Sequence, residues 1–261
     1  MSTLNGTDLD KAQGHWILAR MGKKVLRPGG RELTEQLVGF LGIGPGDDVA
    51  EFAPGLGHTA ALTLGRHPRS YTGIELDPDV AAMLRGKLGG PGRTIVQGSA
   101  SATGLPDACM DKVYGEAMLT MQADHRKQEI VREAHRILRP GGFYAIHELG
   151  LTPDTIDAAQ KATVQKDLAL TIRVNARPLS APEWTELLER EGFVVKHIAM
   201  SPMRLLEMGR MVDDEGLWRT LRIGLNILRH PAARRRILDM RRVFRQHSAH
   251  MNAIALVAVK Q

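Results

Sequence analysis

The segment DVAEFAPGLGHTA, residues 48–60, sets a carboxylate, Glu51, just ahead of a turn carrying Gly55 and Gly57. Glycines placed in this way let a chain leave a strand, turn sharply and bring its backbone against a ligand. The run GLGHTA also satisfies the G-x-G-x-x-A pattern, and Glu75 ends the next predicted strand, where an acid can hold ribose hydroxyls. A dinucleotide would fit that pattern. Its pyrophosphate, however, wants free amides at a helix N-terminus, and a nearby carboxylate opposes it. A ligand that is itself cationic suits Glu51 better. S-adenosylmethionine, with an ammonium and a sulfonium, is such a ligand, and a solvated strand-end charge is the third reading of Glu51.

A second group of chemistry-bearing residues lies at His147 and Glu148, at the end of a later predicted strand. Strand alternation sends the two side chains to opposite faces, so one of them is expected to face a pocket. His147 is the preferred general base, because an unperturbed imidazole titrates near neutral pH, with Glu148 and Glu116 as alternates. His58 falls inside the helix after the glycine loop and reads as packing or a contact on the cofactor side. His15 and Trp16 lie in an N-terminal segment. The ten histidines include no H-E-x-x-H or comparable spacing, so no metal is predicted. In GEAMLTMQADH, Met118, Leu119 and Met121 offer a deformable apolar wall.

These residues need a scaffold, and the pattern supplies one. RELTEQLVGFL sets Leu33, Leu37, Val38 and Leu41 on one helical face, and GIGPGDD stops it before the strand DVAEFA. HTAALTLGRH reads as a helix stopped by Pro68, SYTGIEL as a strand, and PDVAAMLRGKL as a helix opening on proline. RTIVQG and DKVYGEAM follow as strands. DHRKQEIVREAHRIL is a helix ended by RPGG before the strand FYAIHEL. Strands alternating with helices imply a parallel sheet covered on both faces. After Leu149 come a helix over PDTIDAAQKATVQKDLALTIRV, another over APEWTELLEREGF, the strand VVKHIAM, an entirely helical stretch at residues 203–247, and a last strand in NAIALVAVK.

Several ordered motifs together resemble the class I S-adenosylmethionine-dependent methyltransferases, in particular the small-molecule branch that contains the quinone C-methyltransferases. They are VAEFAPGLG, GIELDPD, VQGSASATGLPDACMDKVYGEAM and REAHRILRPGGFYAIHE, and the resemblance covers about residues 30–200 and the final strand. It implies an α/β, Rossmann-like, seven-stranded sheet, mostly parallel with a reversed last strand. Helices cover both faces, and helical cap insertions at about residues 150–178 and 202–248 complete a single domain spanning residues 1–261. S-adenosyl-L-methionine is the implied cofactor. Carried over by position, Glu51, Ala53, Gly55 and Gly57 surround its methionine part, Glu75 holds the ribose, and Leu76 lies beside the adenine. Ser99 and Ala100 border the adenine edge, and Glu116 with Ala117 lies under the reactive end. Two departures stand out: Ala53 replaces a frequent first glycine, and Ser99 replaces an aspartate that commonly accepts from the adenine amino group.

The chain has 261 residues, 43% of them hydrophobic and 25% charged, enough for one large core with a cap. Cys109, the single cysteine, excludes an intrachain disulfide. The N-terminal run lacks a signal-peptide core, and AIALVAV is too short for a bilayer span, which predicts a cytoplasmic protein. Between residues 216 and 250 nine arginines face one acid, so the formal +6 is concentrated there. In that stretch Ala233, Ile237, Met240 and Phe244 mark a buried helical face. Arg234, Arg235, Arg241, Arg242 and Arg245 lie around the rest, as a solvated face, a contact for an anionic membrane surface, or a nucleic-acid contact. With 4% aromatic residues, stacking platforms for nucleic acid are few. The predicted function is methyl transfer to a small or medium, largely apolar acceptor. An RNA-modifying methyltransferase and a non-catalytic S-adenosylmethionine-binding regulator are the alternatives.

Overall fold

The computed structural model describes residues 12–203 and 205–261. One sheet runs in the order β3-β2-β1-β4-β5-β8-β7. Its strands are β1 (Asp48–Phe52), β2 (Ser70–Glu75), β3 (Arg93–Gln97), β4 (Met110–Glu116), β5 (Leu138–Leu151), β7 (Phe193–Pro202) and β8 (Met251–Lys260). A two-residue strand, β6 (Leu179–Ser180), pairs with β5 and is an eighth strand beyond the predicted seven. The first five strands are parallel, and β8 runs antiparallel to both β5 and β7, so the reversed last strand is present. Successive connections leave β1 on one side toward β2 and on the other toward β4. The carboxyl ends of β1 and β4 thus flank the crevice where such sheets bind ligands.

Alternation along the strands divides the core. Ala50, Phe52, Val113, Tyr144, Ile146, Ile254 and Leu256 point to one face, where α5 (Asp124–Ile137) and α7 (Ala181–Arg190) cover them. Val49, Tyr114, Ala145, Ala253 and Ala255 point to the other, beneath α2 (Gly30–Leu41). Tyr71 and Ile95 pack there under α4 (Pro78–Leu88), together with Ala60 of α3 (His58–Leu64). The apolar spacing of α2 and α5 is what commits each to its face. α3 ends at Leu64, four residues before the predicted Pro68 stop, and His67 then takes a left-handed φ of 54°.

The stretch predicted as one helical run from residue 203 is three helices: α8 (Met208–Glu215), α9 (Leu217–Arg229) and α10 (Pro231–Gln246). Gly216, at φ 79°, breaks the first junction, and Pro231, which has no N–H to continue the ladder, starts the third helix. With α1 (Gly14–Arg20) and α6 (Ala158–Ile172) they form a cap whose core includes Ile17, Leu18, Ile223, Ile237 and Met240.

Trp184 of α7 is fully buried beneath β5 and β8, and its Nε1–H donates to the Leu149 carbonyl at 3.2 Å. Trp184→Ala therefore opens a large void and removes a hydrogen bond. The expected loss is about 3–5 kcal/mol, read as a lower urea midpoint at unchanged m-value.

Candidate functional site

A cavity of about 660 Å³ opens over the carboxyl ends of β1, β2 and β4 and continues under the cap. Its polar part is built by strand ends. Glu51 is the penultimate residue of β1, Glu75 closes β2, and Glu116 closes β4, so three carboxylates arrive at one rim because the strands are parallel and in register. The glycine turn wraps the second of them: the Gly55 N–H donates to Glu75 Oε2 at 3.2 Å and the Asp77 N–H to Oε1 at 3.1 Å. Burial raises the Glu75 carboxyl above its usual range, with those amides opposing.

Glu51 is buried, and both hydroxyl bonds it receives fall on one oxygen, from Tyr71 at 2.6 Å and Tyr114 at 2.8 Å. Its other oxygen has no hydrogen-bond partner among the described residues, and Glu51 lines the cavity. Burial pushes this carboxyl up to about 7, the two tyrosine bonds pulling the other way. Such a group is short of a cation, and an ammonium placed there would hold it ionised. The donor set fits the cofactor implied by the sequence motifs.

Glu116 is the opposite case. Oε1 accepts from Thr34 at 2.6 Å and from His147 Nδ1 at 2.8 Å, with Arg27 Nε at 3.4 Å, while Oε2 accepts from Thr59. Burial raises its carboxyl, but Arg27, His147 and Thr34 outweigh it and hold the group at about 2. This carboxylate is saturated and ionised, unsuited to accept a proton.

His147 and Glu148 do point to opposite faces, but neither lines the cavity, which corrects the expectation that one of them meets an acceptor. His147 is fully buried, with Nε2 2.6 Å from the Pro28 carbonyl and Nδ1 facing Glu116. Through these two contacts the ring ties the lead-in to α2 onto β5. Glu148 receives the N–H groups of Met118 at 3.0 Å, Leu119 at 2.8 Å and Thr120 at 2.9 Å, and the Thr120 hydroxyl at 2.7 Å. It satisfies the open amides of the short 3-10 helix Leu119–Met121, as a capping residue would.

Of the other predicted residues, Ala53, Gly55, Leu76 and Ala117 line the cavity, and Leu76 stands 70% exposed at its rim. Gly57, Ser99 and Ala100 do not. Gly57 approaches α4, where an added Cβ would lie 2.9 Å from Leu84. Ser99 bonds back to Ser101 within its own loop, and Ala100 packs on the core. Ala53 adopts φ 52°, the left-handed turn that a glycine takes without strain. Met118 and Met121 form part of the wall, whereas Leu119 is buried behind it. His15, Trp16 and His58 also face the cavity, and burial lowers both histidines to about 4.

Sequence reasoning missed Arg27, Thr34 and Thr59 as partners of Glu116. They come from three separate segments, and although Thr59 stands in the GLGHTA run, the motif gives no sign of that contact. The Met and Leu residues near 200–211 read from sequence either as an addition to the apolar wall or as ordinary core, and Met203 and Leu205 do line the cavity. What was missed is that Leu168 and Ile172 of α6 and Met240 and Phe244 of α10 complete its apolar end.

Comparison with known proteins agrees with this geometry. The family model described as "Methyltransferase domain" matches residues 50–146. An uncharacterized protein of Haemophilus influenzae is 30% identical over 220 residues, covering 83% of this chain and 86% of its own. A probable S-adenosylmethionine-dependent methyltransferase of Mycolicibacterium smegmatis is 32% identical over 151 residues, 58% of this chain and 53% of that protein, so this chain spans about half of that named relative. The fold resembles that of the cyclopropane synthase MmaA2 from Mycobacterium tuberculosis, with a TM-score of 0.71, 14% identity, and coverage of 98% and 99% of the two chains.

Two outcomes follow from the buried carboxylates. Because the folded-state carboxyl of Glu51 lies above its unfolded value of 4.5, its contribution to stability is complete below that value and is lost as pH rises through about 7. Relative to Glu51→Gln, the wild type should lose on the order of 3 kcal/mol across that window; urea titrations at successive pH values showing a constant difference would refute this. Glu148→Gln can serve fewer of the four donors and should cost about 2–3 kcal/mol, measured by the same titration at fixed pH.

Proposed function

The chain belongs to the class I S-adenosylmethionine-dependent methyltransferases, and from that premise we propose that it methylates a largely apolar acceptor held under the α6–α10 cap. When bound, S-adenosylmethionine supplies a methyl group on a sulfonium, an already activated leaving group. What the protein must add is alignment and exclusion of water.

In this reading Glu51 holds the cofactor's ammonium through its unpartnered oxygen, and Glu75 holds the ribose hydroxyls, with Leu76 as an apolar rim for the adenine. Arg27, whose terminal nitrogens donate no hydrogen bond among the described residues, is suited to the cofactor's carboxylate. Glu116 is a fixed charge that orients Arg27 and Thr59 at the cavity floor. His147 and Glu148 act through position, not proton transfer. Any proton lost by the acceptor goes to solvent or to the neutral imidazoles of His15 or His58, both on the cavity wall.

The observation that carries the acceptor class is the far wall: six aliphatic, thioether or phenyl side chains from Leu168 to Phe244, against no charged group in that part of the lining. The quinone-methylating branch shares this requirement, as do other lipophilic acceptors. An RNA acceptor would need a cationic track leading into the cavity.

Two measurements test the proposal. In titration calorimetry Glu75→Ala should weaken S-adenosylhomocysteine binding about tenfold or more, as loss of charge-assisted bonds requires. Phe244→Ala should raise the KM of an apolar acceptor about tenfold while leaving cofactor affinity unchanged, in assays with radiolabelled methyl donor. An unchanged KM, or methyl incorporation into RNA alone, would remove the apolar-acceptor reading.

A further inference from the structure

α9 is amphipathic in the wrong direction for a helix of an isolated globule. Its inward side is narrow: Thr220 and Ile223 are buried, and the Asn226 side-chain amide donates to the Met21 carbonyl at 3.0 Å. The outward side carries Trp218 at 83% exposure, Leu228 at 63%, Leu217 at 57%, Leu221 at 55% and Leu225 at 47%. At 3.6 residues per turn these five fall within an arc of roughly 100°. They form one exposed apolar ridge along α9, whose N-terminal end, Leu217 and Trp218, also borders a hollow beside Arg20 and Met21.

Arginines border the ridge. Arg222 and Arg229 follow the arc on the helix itself, and Arg234 and Arg235 lie on the first turns of α10 across the Pro231 corner. All four are exposed and have no ion-pair partner among the described residues. The other basic groups here are engaged: Arg241 and Arg245 reach Glu207, Arg242 reaches Asp239, and Arg219 lies near Glu215. α10 adds one more outward apolar residue, Leu238, 52% exposed between those arginines.

We propose that the α9 ridge and the arginines beside it form a docking face for an anionic lipid bilayer. An exposed apolar stripe with a tryptophan, rimmed by arginines that have no ion-pair partner among the described residues, matches the requirement of an interfacial helix: apolar side chains enter the acyl boundary while guanidinium groups meet lipid phosphates. With 13 residues α9 is about 20 Å long, and no described helix is long and apolar enough to cross a membrane. The occupant is therefore a surface that the protein lies on. A second copy of the chain is disfavoured by charge, since a two-fold contact on this ridge would bring Arg222 and Arg229 of each copy against an equally basic rim.

The placement also has a functional geometry. Met240 and Phe244 of α10 face the cavity from one side of that helix, while Arg234, Arg235 and Leu238 occupy the other. One helix thus separates the apolar end of the cavity from the docking face. The docking inference stands on α9 itself and does not require the acceptor reading.

Vesicle flotation tests it, using phosphatidylcholine alone and phosphatidylcholine mixed equally with phosphatidylglycerol. The wild type should float with the mixed vesicles and not with the neutral ones, and its tryptophan emission should shift to the blue. Replacing Arg222, Arg229, Arg234 and Arg235 together by glutamine should lower partition about 10²–10³-fold, at about 1 kcal/mol for each arginine near an anionic surface. Trp218→Ser with Leu221→Ser should lower it at least about tenfold. Retained circular dichroism and S-adenosylhomocysteine binding show that both variants are folded. Equal flotation of all three proteins, no flotation of the wild type, or a concentration-dependent dimer abolished by Trp218→Ser would each overturn the proposal, the last in favour of a second copy.

Discussion

The site rests on a buried ion cluster at the ends of β4 and β5. Glu116 and His147 are register partners on adjacent parallel strands, and their side chains meet at 2.8 Å on the same face of the sheet. Taking a carboxylate out of water is costly unless every lone pair is answered, and here Arg27, Thr34, Thr59 and His147 answer it. The cluster joins the lead-in to α2, α2 itself, the start of α3 and the sheet, adding polar contacts to the apolar packing of α2 and α3 on that face. Removing one partner would leave an uncompensated charge. The cavity floor is therefore fixed by electrostatics as much as by packing.

Glu51, by contrast, is supplied with two hydroxyl donors on one oxygen and, among the described residues, none on the other. Two carboxylates at neighbouring strand ends are thus held in different states by their surroundings, one saturated and ionised, the other raised toward neutrality and open to a cation. This difference divides binding from scaffolding within a single rim. Glu148 belongs to the scaffold as well, since four donors of the loop after β4 converge on it and so place Met118 and Met121 in the wall.

The cap supplies what the sheet cannot. Strand ends of an α/β sheet present backbone and polar groups, and they make a good seat for a polar cofactor but a poor one for an apolar acceptor. α6 and α10 bring their apolar stripes over that rim, and Met203 and Leu205 close the gap between β7 and α8. Helices that bury one stripe against the sheet or the cap core leave the opposite face to solvent. α10 fills its outer face with arginine, whereas α9 leaves leucine and tryptophan there.

Local pattern in the chain determined the strands, most helices and the carboxylates Glu51 and Glu75, because strand alternation, helical spacing and glycine turns are short-range constraints carried by neighbouring residues; the reversal of β8 was implied by the family resemblance, not by that pattern. The same pattern correctly sent His147 and Glu148 to opposite faces. It could not say which face held the cavity or whether either side chain was already occupied. Pro28 lies far from His147 along the chain, and Thr120 far from Glu148, and tertiary folding alone brought each partner within hydrogen-bonding distance. Arg27 was silent for the same reason, since a lone arginine before a proline has no signature until a buried carboxylate stands beside it. Whether α9 points its leucines inward or outward was likewise undecidable from periodicity, which fixes that a helix has two faces but not which of them the rest of the molecule covers.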